Sequence, residues 1–190
     1  MCYNVIMKRA LIVLSAIASV FIASPTFADT TASSDVIVTV GATISLELSA
    51  EDFLIDNVTA GVLTNSEAVT ATAWTNSDHG FTLSVAAGDG EDYVTNDLIH
   101  ETAISKFSSL ATTGTFSSSD FTTDSWGVSL DSGTTYYGVP YYENGTRSIY
   151  SSSTSGTDEI DILTAAKAGT TMSAGDYQNI LIFTVIANVE

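Results

Sequence analysis

The last stretch of the chain, residues 175–189, constrains the fold most, because it has the pattern of one long β-strand. Its odd-numbered residues from Leu181 to Val189 form an apolar face, and Ile180, Ile182 and Ile186 make the other face largely apolar too. A strand that is apolar on both faces needs cover on both faces. We therefore predict an inner strand of a β-sandwich, or a strand that a partner covers.

Further strands follow from the same alternation. Every even-numbered residue from Val36 to Leu48 is apolar, which predicts a half-buried first strand with a bend at Gly41. Residues 68–87 have the pattern of a β-hairpin around a turn at 75–80, and residues 126–130, 135–142 and 160–168 have strand patterns. Residues 97–110 fit a strand or a short helix. Pairing of the first and last strands would join the two chain ends.

These signals predict an all-β fold, an antiparallel β-sandwich of about seven or eight strands or more, with Greek-key or immunoglobulin-like topology. Trp74 and Trp126 are expected in the core. Between Ser108 and Ser125, eleven of eighteen residues are Ser or Thr, which predicts an extended surface loop.

The first 28 residues have the pattern of a cleaved signal peptide. Lys8 and Arg9 precede an apolar run, and Thr26-Phe27-Ala28 resembles a cleavage site before Asp29. The start could equally be Met7. We therefore expect an exported protein consisting of one domain, residues 29–190, with no transmembrane segment after cleavage. Cys2 is the only cysteine, so this domain can form no disulfide.

The net charge of the chain restricts the kinds of partner that it can bind. Removal of residues 1–28 leaves three basic residues against 22 acidic ones, a net charge of −19 with His neutral. A field of this sign repels phosphate backbones and anionic lipids. We therefore expect no nucleic-acid partner. Solubility explains such a charge, and so does binding of a divalent cation or of a basic partner.

Catalytic motifs are absent from the sequence. His79 and His100 are the only imidazoles, no G-x-S-x-G or H-E-x-x-H sequence occurs, and no pair of carboxylates stands out. No catalytic residue is therefore predicted and the chain is not expected to be an enzyme. No cofactor is expected, apart from a possible Ca²⁺ ion. The oxygen ligands that Ca²⁺ prefers occur together in one acidic turn, which could equally be a solvated loop: Asp89, Glu91, Asp92 and Asp97.

Two further groups are candidates for binding. Tyrosines cluster around Pro140, where strand alternation would turn two of them outward to stack on sugars or anchor a protein: Tyr136, Tyr137, Tyr141 and Tyr142. The second group is the second apolar face of the closing strand, which an assembly partner could cover: Ile180, Ile182 and Ile186.

Several short sequences together resemble a known class. The leader, the valine-rich first strand, Trp126-Gly127 and the closing Gly175-Asp176-Tyr177 resemble secreted bacterial β-sandwich surface proteins, namely WxL-type cell-wall-associated proteins and, more distantly, pilin-like subunits. The Trp-x-Leu motif itself does not occur, and neither do the pilin cysteine pair and penultimate tyrosine.

The leader, the sandwich pattern and the lack of catalytic motifs lead us to expect an exported, non-enzymatic protein of the cell surface or extracellular matrix that binds cell-wall polymer or other surface proteins. An alternative is a self-assembling pilus or fibre subunit that a neighbour completes by strand exchange. A third is a carbohydrate-binding module that uses the tyrosine cluster. Each expectation depends on which residues the fold leaves exposed.

Overall fold

The fold is all-β, and the expected sandwich class is confirmed. The structure is a computed structural model that describes residues 37–189, and residues 40–190 form a compact unit distinct from residues 1–39. The described chain contains thirteen strands and two short 3-10 helices. In chain order the strands are β1 Ile44–Leu48, β2 Leu63–Asn65, β3 Val69–Thr75, β4 Phe81–Ala87, β5 Leu98–His100, β6 Lys106–Ser109, β7 Phe116–Ser117, β8 Ser125–Ser129, β9 Thr135–Tyr137, β10 Arg147–Ser151, β11 Gly156–Lys167, β12 Tyr177–Gln178 and β13 Leu181–Ala187. The helices are Ser118–Asp120 and Tyr142–Asn144.

Two sheets of unequal size face each other. The larger has ten strands, of which seven follow the order β1-β3-β11-β8-β6-β5-β12, with β2 beside β11 and β9 joining β7 to β8. The smaller has three strands in the order β10-β4-β13. All pairs of named strands are antiparallel except β6 with β8, which is parallel.

The core lies between the sheets because alternate residues of both point inward. Ala71 and Ala73 of β3 pack with Phe81 and Leu83 of β4 and with Ile162 of β11. A second cluster continues along the sandwich through Val85 of β4 and Trp126 and Val128 of β8. A third, smaller cluster contains Phe121, Tyr136 and Ala165.

Strands β3 and β4 correct the hairpin prediction. Both strands form where expected, but β3 pairs with β1 and β11, whereas β4 pairs with β10 and β13. The turn at residues 76–80 therefore carries the chain from one sheet to the other. Gly80 is required there, because its φ is +71° and a Cβ atom would lie 2.4 Å from the carbonyl oxygen of Ser152.

The chain ends also differ from expectation. Within the described residues the first strand begins at Ile44, since residues 37–43 pair with no strand there. The predicted start at Val36 lies outside the described residues. Strand β1 pairs with β3 and β13 pairs with β4, so the predicted pairing of first and last strands is wrong. The closing strand is not an inner strand either, because β13 forms one edge of the smaller sheet.

The remaining segments resolve the open alternatives. Residues 97–110 form strands β5 and β6, and residues 108–125 include β7 and a 3-10 helix. Strand β10 has no counterpart in the prediction. Trp126 is buried as expected, but Trp74 is 39% exposed, because it lies on the outward face of β3, between inward-facing Ala73 and Thr75.

Candidate functional site

The edge strands of the two sheets differ in how they are protected against pairing with another chain. Strands β2, β7 and β12 have only two or three residues each. Strand β1 carries Glu47, and β10 carries Arg147 and has a register irregularity between Ser148 and Tyr150. Strand β13 has seven residues, no charge, no proline and an unbroken register with β4. Of the edge strands in residues 37–189, β13 is the one without a protective feature.

The unpaired backbone groups of β13 belong to its odd-numbered residues. At the two ends of the strand, the carbonyl oxygen of Ile180 accepts from Gly88 N–H at 2.9 Å and Asn188 N–H donates to Gly80 O at 2.9 Å. Because the direction of these groups alternates along an antiparallel strand, even-numbered residues bond to β4. The N–H and C=O groups of the odd-numbered residues point away from β4, toward the side where no described strand pairs: Leu181, Phe183, Val185 and Ala187. We call this side the free edge of β13.

The apolar side chains around the free edge are incompletely covered. Phe81, Leu83 and Val85 of β4 are fully buried, whereas the inward-facing Phe183 and Val185 of β13 are half-buried. On the opposite face, Ile186 is 61% exposed, and Ile180, just before the strand, is 40% exposed. Ile182 is half-buried. The three isoleucines singled out in the sequence thus lie along one edge strand, and the fold leaves two of them open.

A loop covers part of this edge without pairing to it. Phe53 packs on Phe183 with ring centroids 5.9 Å apart, and Ile55 and Val58 pack against the core cluster that Leu181 also borders. No backbone hydrogen bond joins residues 51–58 to β13 in the described structure. The loop therefore shields side chains of β13 and leaves its backbone groups unpaired.

Residues 37–43, which we call the N-terminal segment, have exposed apolar side chains and pair with no strand in the described chain. Ile37, Val38 and Val40 are 85%, 79% and 78% exposed. Asn76 holds the end of the segment, because its Nδ2 donates to Gly41 O at 3.2 Å and its Oδ1 accepts from Thr43 N–H at 2.6 Å. The segment has the alternation of a β-strand and no strand beside it in the described chain.

The tyrosines do not form one platform. Tyr136 is buried against Phe121 and donates to Asn65 Oδ1 at 3.0 Å, and Tyr137 lies beneath the guanidinium of Arg147, 4.9 Å from its ring centroid. Only Tyr141 and Tyr142 remain together near the surface, edge to face at 5.3 Å. The alternation of residues along the sequence could not show this arrangement, because Pro140 and the 3-10 helix Tyr142–Asn144 interrupt the strand.

The acidic turn is not assembled into a cation site. Asp89 accepts from the backbone N–H groups of Tyr93 and Glu91, and these bonds hold its pKa below the ordinary value of an aspartate. Asp97 Oδ2 lies 2.6 Å from Lys106 Nζ. Among residues 37–189 no group of three His, Cys, Asp or Glu residues could hold a metal ion. The predicted calcium ligands Asp89, Glu91, Asp92 and Asp97 are therefore not brought together.

His100 has a structural position. Its Nδ1 accepts from the backbone N–H groups of Thr102 and Ala103 at 3.0 and 2.9 Å, and its Nε2 lies 3.2 Å from the carbonyl oxygen of Ala174. The ring also packs edge to face on Tyr177 at 4.9 Å. Both nitrogens are thereby engaged with the backbone.

The basic side chains of the described residues also have partners within the chain. Lys106 pairs with Asp97, and Lys167 donates to the carbonyl oxygen of Phe121 at 3.1 Å. Arg147 donates to the carbonyl oxygens of Gly138 and Gly114, which ties β10 to neighbouring loops. Its burial lowers its pKa from the ordinary value of an arginine. These cations stabilise the fold at positions the sequence did not single out.

Comparisons with known proteins match no family model and no curated protein. No helix among residues 37–189 is long and apolar enough to cross a membrane. The feature of the described residues that most strongly indicates a function is the free edge of β13.

Proposed function

We propose that this chain is an exported, non-enzymatic protein of the cell surface or extracellular matrix that binds other surface proteins through the free edge of β13. One observation carries the proposal: a seven-residue, uncharged strand, apolar on both faces, lies unpaired at the edge of the smaller sheet. The pattern of the first 28 residues supports export.

The chemistry of the edge favours a polypeptide partner. Four residues of β13 offer both a backbone donor and a backbone acceptor, spaced along about 20 Å of strand. An extended peptide supplies the complementary row of groups, and strand addition is a recurring mode of peptide recognition. Alternate side chains of such a peptide would cover Phe183 and Val185, which one chain leaves half-buried.

Binding of wall polymer or other carbohydrate has less support. Stacking on sugar rings requires exposed aromatic faces. Tyr136 is in the core and Tyr137 lies under Arg147, so only two of the four tyrosines are placed for such a role. Tyr136→Ala would therefore disturb folding and could not serve as a test of sugar binding, whereas Tyr142→Ala could.

Site-specific photo-crosslinking in the native cells tests the proposal. A benzophenone amino acid replaces Ile186, and a control variant carries it at Thr157, an exposed residue on the outward face of β11. We expect crosslinked protein adducts in the cell-envelope fraction from position 186 and not from position 157. Recovery of the protein solely in the cytoplasm, or equal crosslinking at both positions, would overturn the proposal.

A further inference from the structure

We infer that the loop of residues 51–58 is a lid on the free edge of β13, and that the partner strand displaces this lid when it binds. The inference rests on the proposed function and names how access to that site is controlled. Three observations carry it: the loop is held at both ends, it is weakly attached between them, and it covers a side chain that the partner must reach.

The two ends of the loop are fixed next to strands of the larger sheet. Before the loop, Ser49 N–H donates to the carbonyl oxygen of Thr70 of β3, and Ser49 Oγ accepts from Thr70 N–H, both at 2.9 Å. After the loop, Gly61 N–H donates at 2.8 Å to the carbonyl oxygen of Ala168, just past the end of β11. The middle of the loop packs on β13 of the smaller sheet. The loop can therefore leave β13 without breaking any of these anchoring bonds.

Between the anchors, the loop is attached by side chains alone. No residue from 51 to 58 forms a hydrogen bond with another described residue. Phe53, Ile55 and Val58 are half-buried, whereas Leu54 is 68% exposed. Segments with few buried contacts and with backbone groups open to solvent detach locally, without unfolding of the whole domain. We therefore expect the loop to open while both sheets stay intact.

The loop and a partner strand compete for the same side chain. A strand added to the free edge would lie about 4.8 Å from β13, and its inward-facing side chains would pack on their neighbours in β13. One of these neighbours is Phe183, on which Phe53 already packs with ring centroids 5.9 Å apart. The lid must therefore move before the partner strand can bind, and a large apolar side chain of the partner takes the place of Phe53.

A lid of this kind makes binding selective. In the free protein it shields Phe183 from other chains, which limits unspecific pairing at the open edge. The partner strand replaces this apolar contact and adds backbone hydrogen bonds that the loop does not make. Because only molecules with an open lid can bind, the apparent affinity is reduced by the fraction that is open.

Two neighbouring residues of the loop provide a matched pair of variants. Phe53→Ala removes the contact with Phe183, whereas Leu54→Ala removes an exposed side chain of the same loop. Each variant is combined with the benzophenone amino acid at position 186, and the yield of protein adducts is measured in the native cells. We expect Phe53→Ala to raise this yield about threefold or more, because the closed lid no longer competes, and Leu54→Ala to leave it unchanged. An unchanged or lower yield from Phe53→Ala would overturn the inference.

A benzophenone amino acid at position 53 follows the lid directly and does not depend on the folding of the Phe53→Ala variant. In the purified free protein it should form an intrachain adduct with β13, because Phe53 packs there. In complexes purified from the envelope fraction this adduct should fall to about a tenth, because the partner holds the lid open. The same group at the exposed Leu54 is the control and should form no adduct with β13 in either sample. An adduct from position 53 that is undiminished in the complexes would contradict displacement of the lid.

The results from positions 53 and 186 separate the lid from the proposed function. Protein adducts from position 186, together with an undiminished adduct between position 53 and β13, overturn the inference and leave the proposed function standing. Crosslinking from position 186 no stronger than from Thr157 overturns both.

Discussion

Asn76 and Thr43 are joined by two hydrogen bonds: Thr43 N–H donates to Asn76 Oδ1 at 2.6 Å, and Asn76 N–H donates to the carbonyl oxygen of Thr43 at 3.2 Å. A third bond runs from Asn76 Nδ2 to Gly41 O. The turn between the two sheets therefore also fixes the start of β1, and with it the point where the N-terminal segment ends.

Replacing Asn76 by alanine should lower the free energy of unfolding by about 1–2 kcal/mol, because both side-chain bonds are lost. Urea denaturation followed by tryptophan fluorescence measures the change. Asn144→Ala is the control, since that side chain is exposed in another turn. Equal stability of the Asn76 variant and the control would contradict a stabilising role for the Asn76 side-chain hydrogen bonds.

Thr164 contains a buried hydroxyl without a partner in the described structure. Valine has almost the same shape and no polar atom, so Thr164→Val should raise the free energy of unfolding by up to about 1 kcal/mol. A clear loss of stability in calorimetry would show that the hydroxyl has a partner, such as a bound water.

The neighbouring Ser66 gives the opposite expectation. Its Oγ accepts from Thr164 N–H at 3.0 Å, and its own backbone N–H donates to Thr164 O at 2.8 Å. Ser66→Ala leaves a buried N–H unpaired and should cost about 1–3 kcal/mol. The two variants together distinguish the Thr164 hydroxyl, which has no hydrogen-bond partner in the described structure, from the Ser66 hydroxyl, which accepts a hydrogen bond.

Lys106 compensates a carboxylate with little access to water. Side-chain exposure is 55% for Lys106 and 12% for Asp97. Lys106→Met should lower stability by about 1 kcal/mol, a value that allows for solvent screening of the exposed ammonium. Adding Asp97→Asn should recover part of the loss, because the uncompensated charge is then removed. A double variant less stable than the single one by the full cost of Asp97→Asn would argue against coupling.

Acid should destabilise the fold in part through Asp131. Burial raises the pKa of its carboxyl, but hydrogen bonds from Thr135, Ser129 and Thr134 outweigh this and hold the pKa below the ordinary value of 3.8. The pKa of Asp131 is lower in the folded protein than in the unfolded chain. Its contribution to stability is therefore present above about pH 3.8 and is lost as the pH falls through the pKa of the folded state.

Asp131→Asn tests this contribution. The variant should lose less stability than the wild type between pH 7 and pH 3, as measured by urea midpoints. Asp52→Asn, in the exposed loop before β2, serves as the control for removing one acid. An unchanged acid dependence in the Asp131 variant would contradict the assignment.

Part of the candidate site could be predicted from the sequence. The two-sided apolar pattern that includes Ile180, Ile182 and Ile186 marked the closing strand as one that needs cover, and the structure leaves Ile180 and Ile186 exposed. The four tyrosines are close together in the sequence, and so are the four acids, but the fold brings neither group together in one site. Hydrogen bonds from Tyr136 to Asn65 and from Lys106 to Asp97 link residues that the pattern could not connect.

The alternation of apolar and polar residues was enough to predict an all-β protein and to show which residues of its main strands face the same side, because alternation is a property of adjacent residues. Which strands are neighbours became evident only in the folded chain. It placed β3 and β4 in different sheets, turned Trp74 outward and left β13 at an edge. Pairing depends on contacts between residues distant in the chain, and a strand's own pattern does not show which of its edges will be filled.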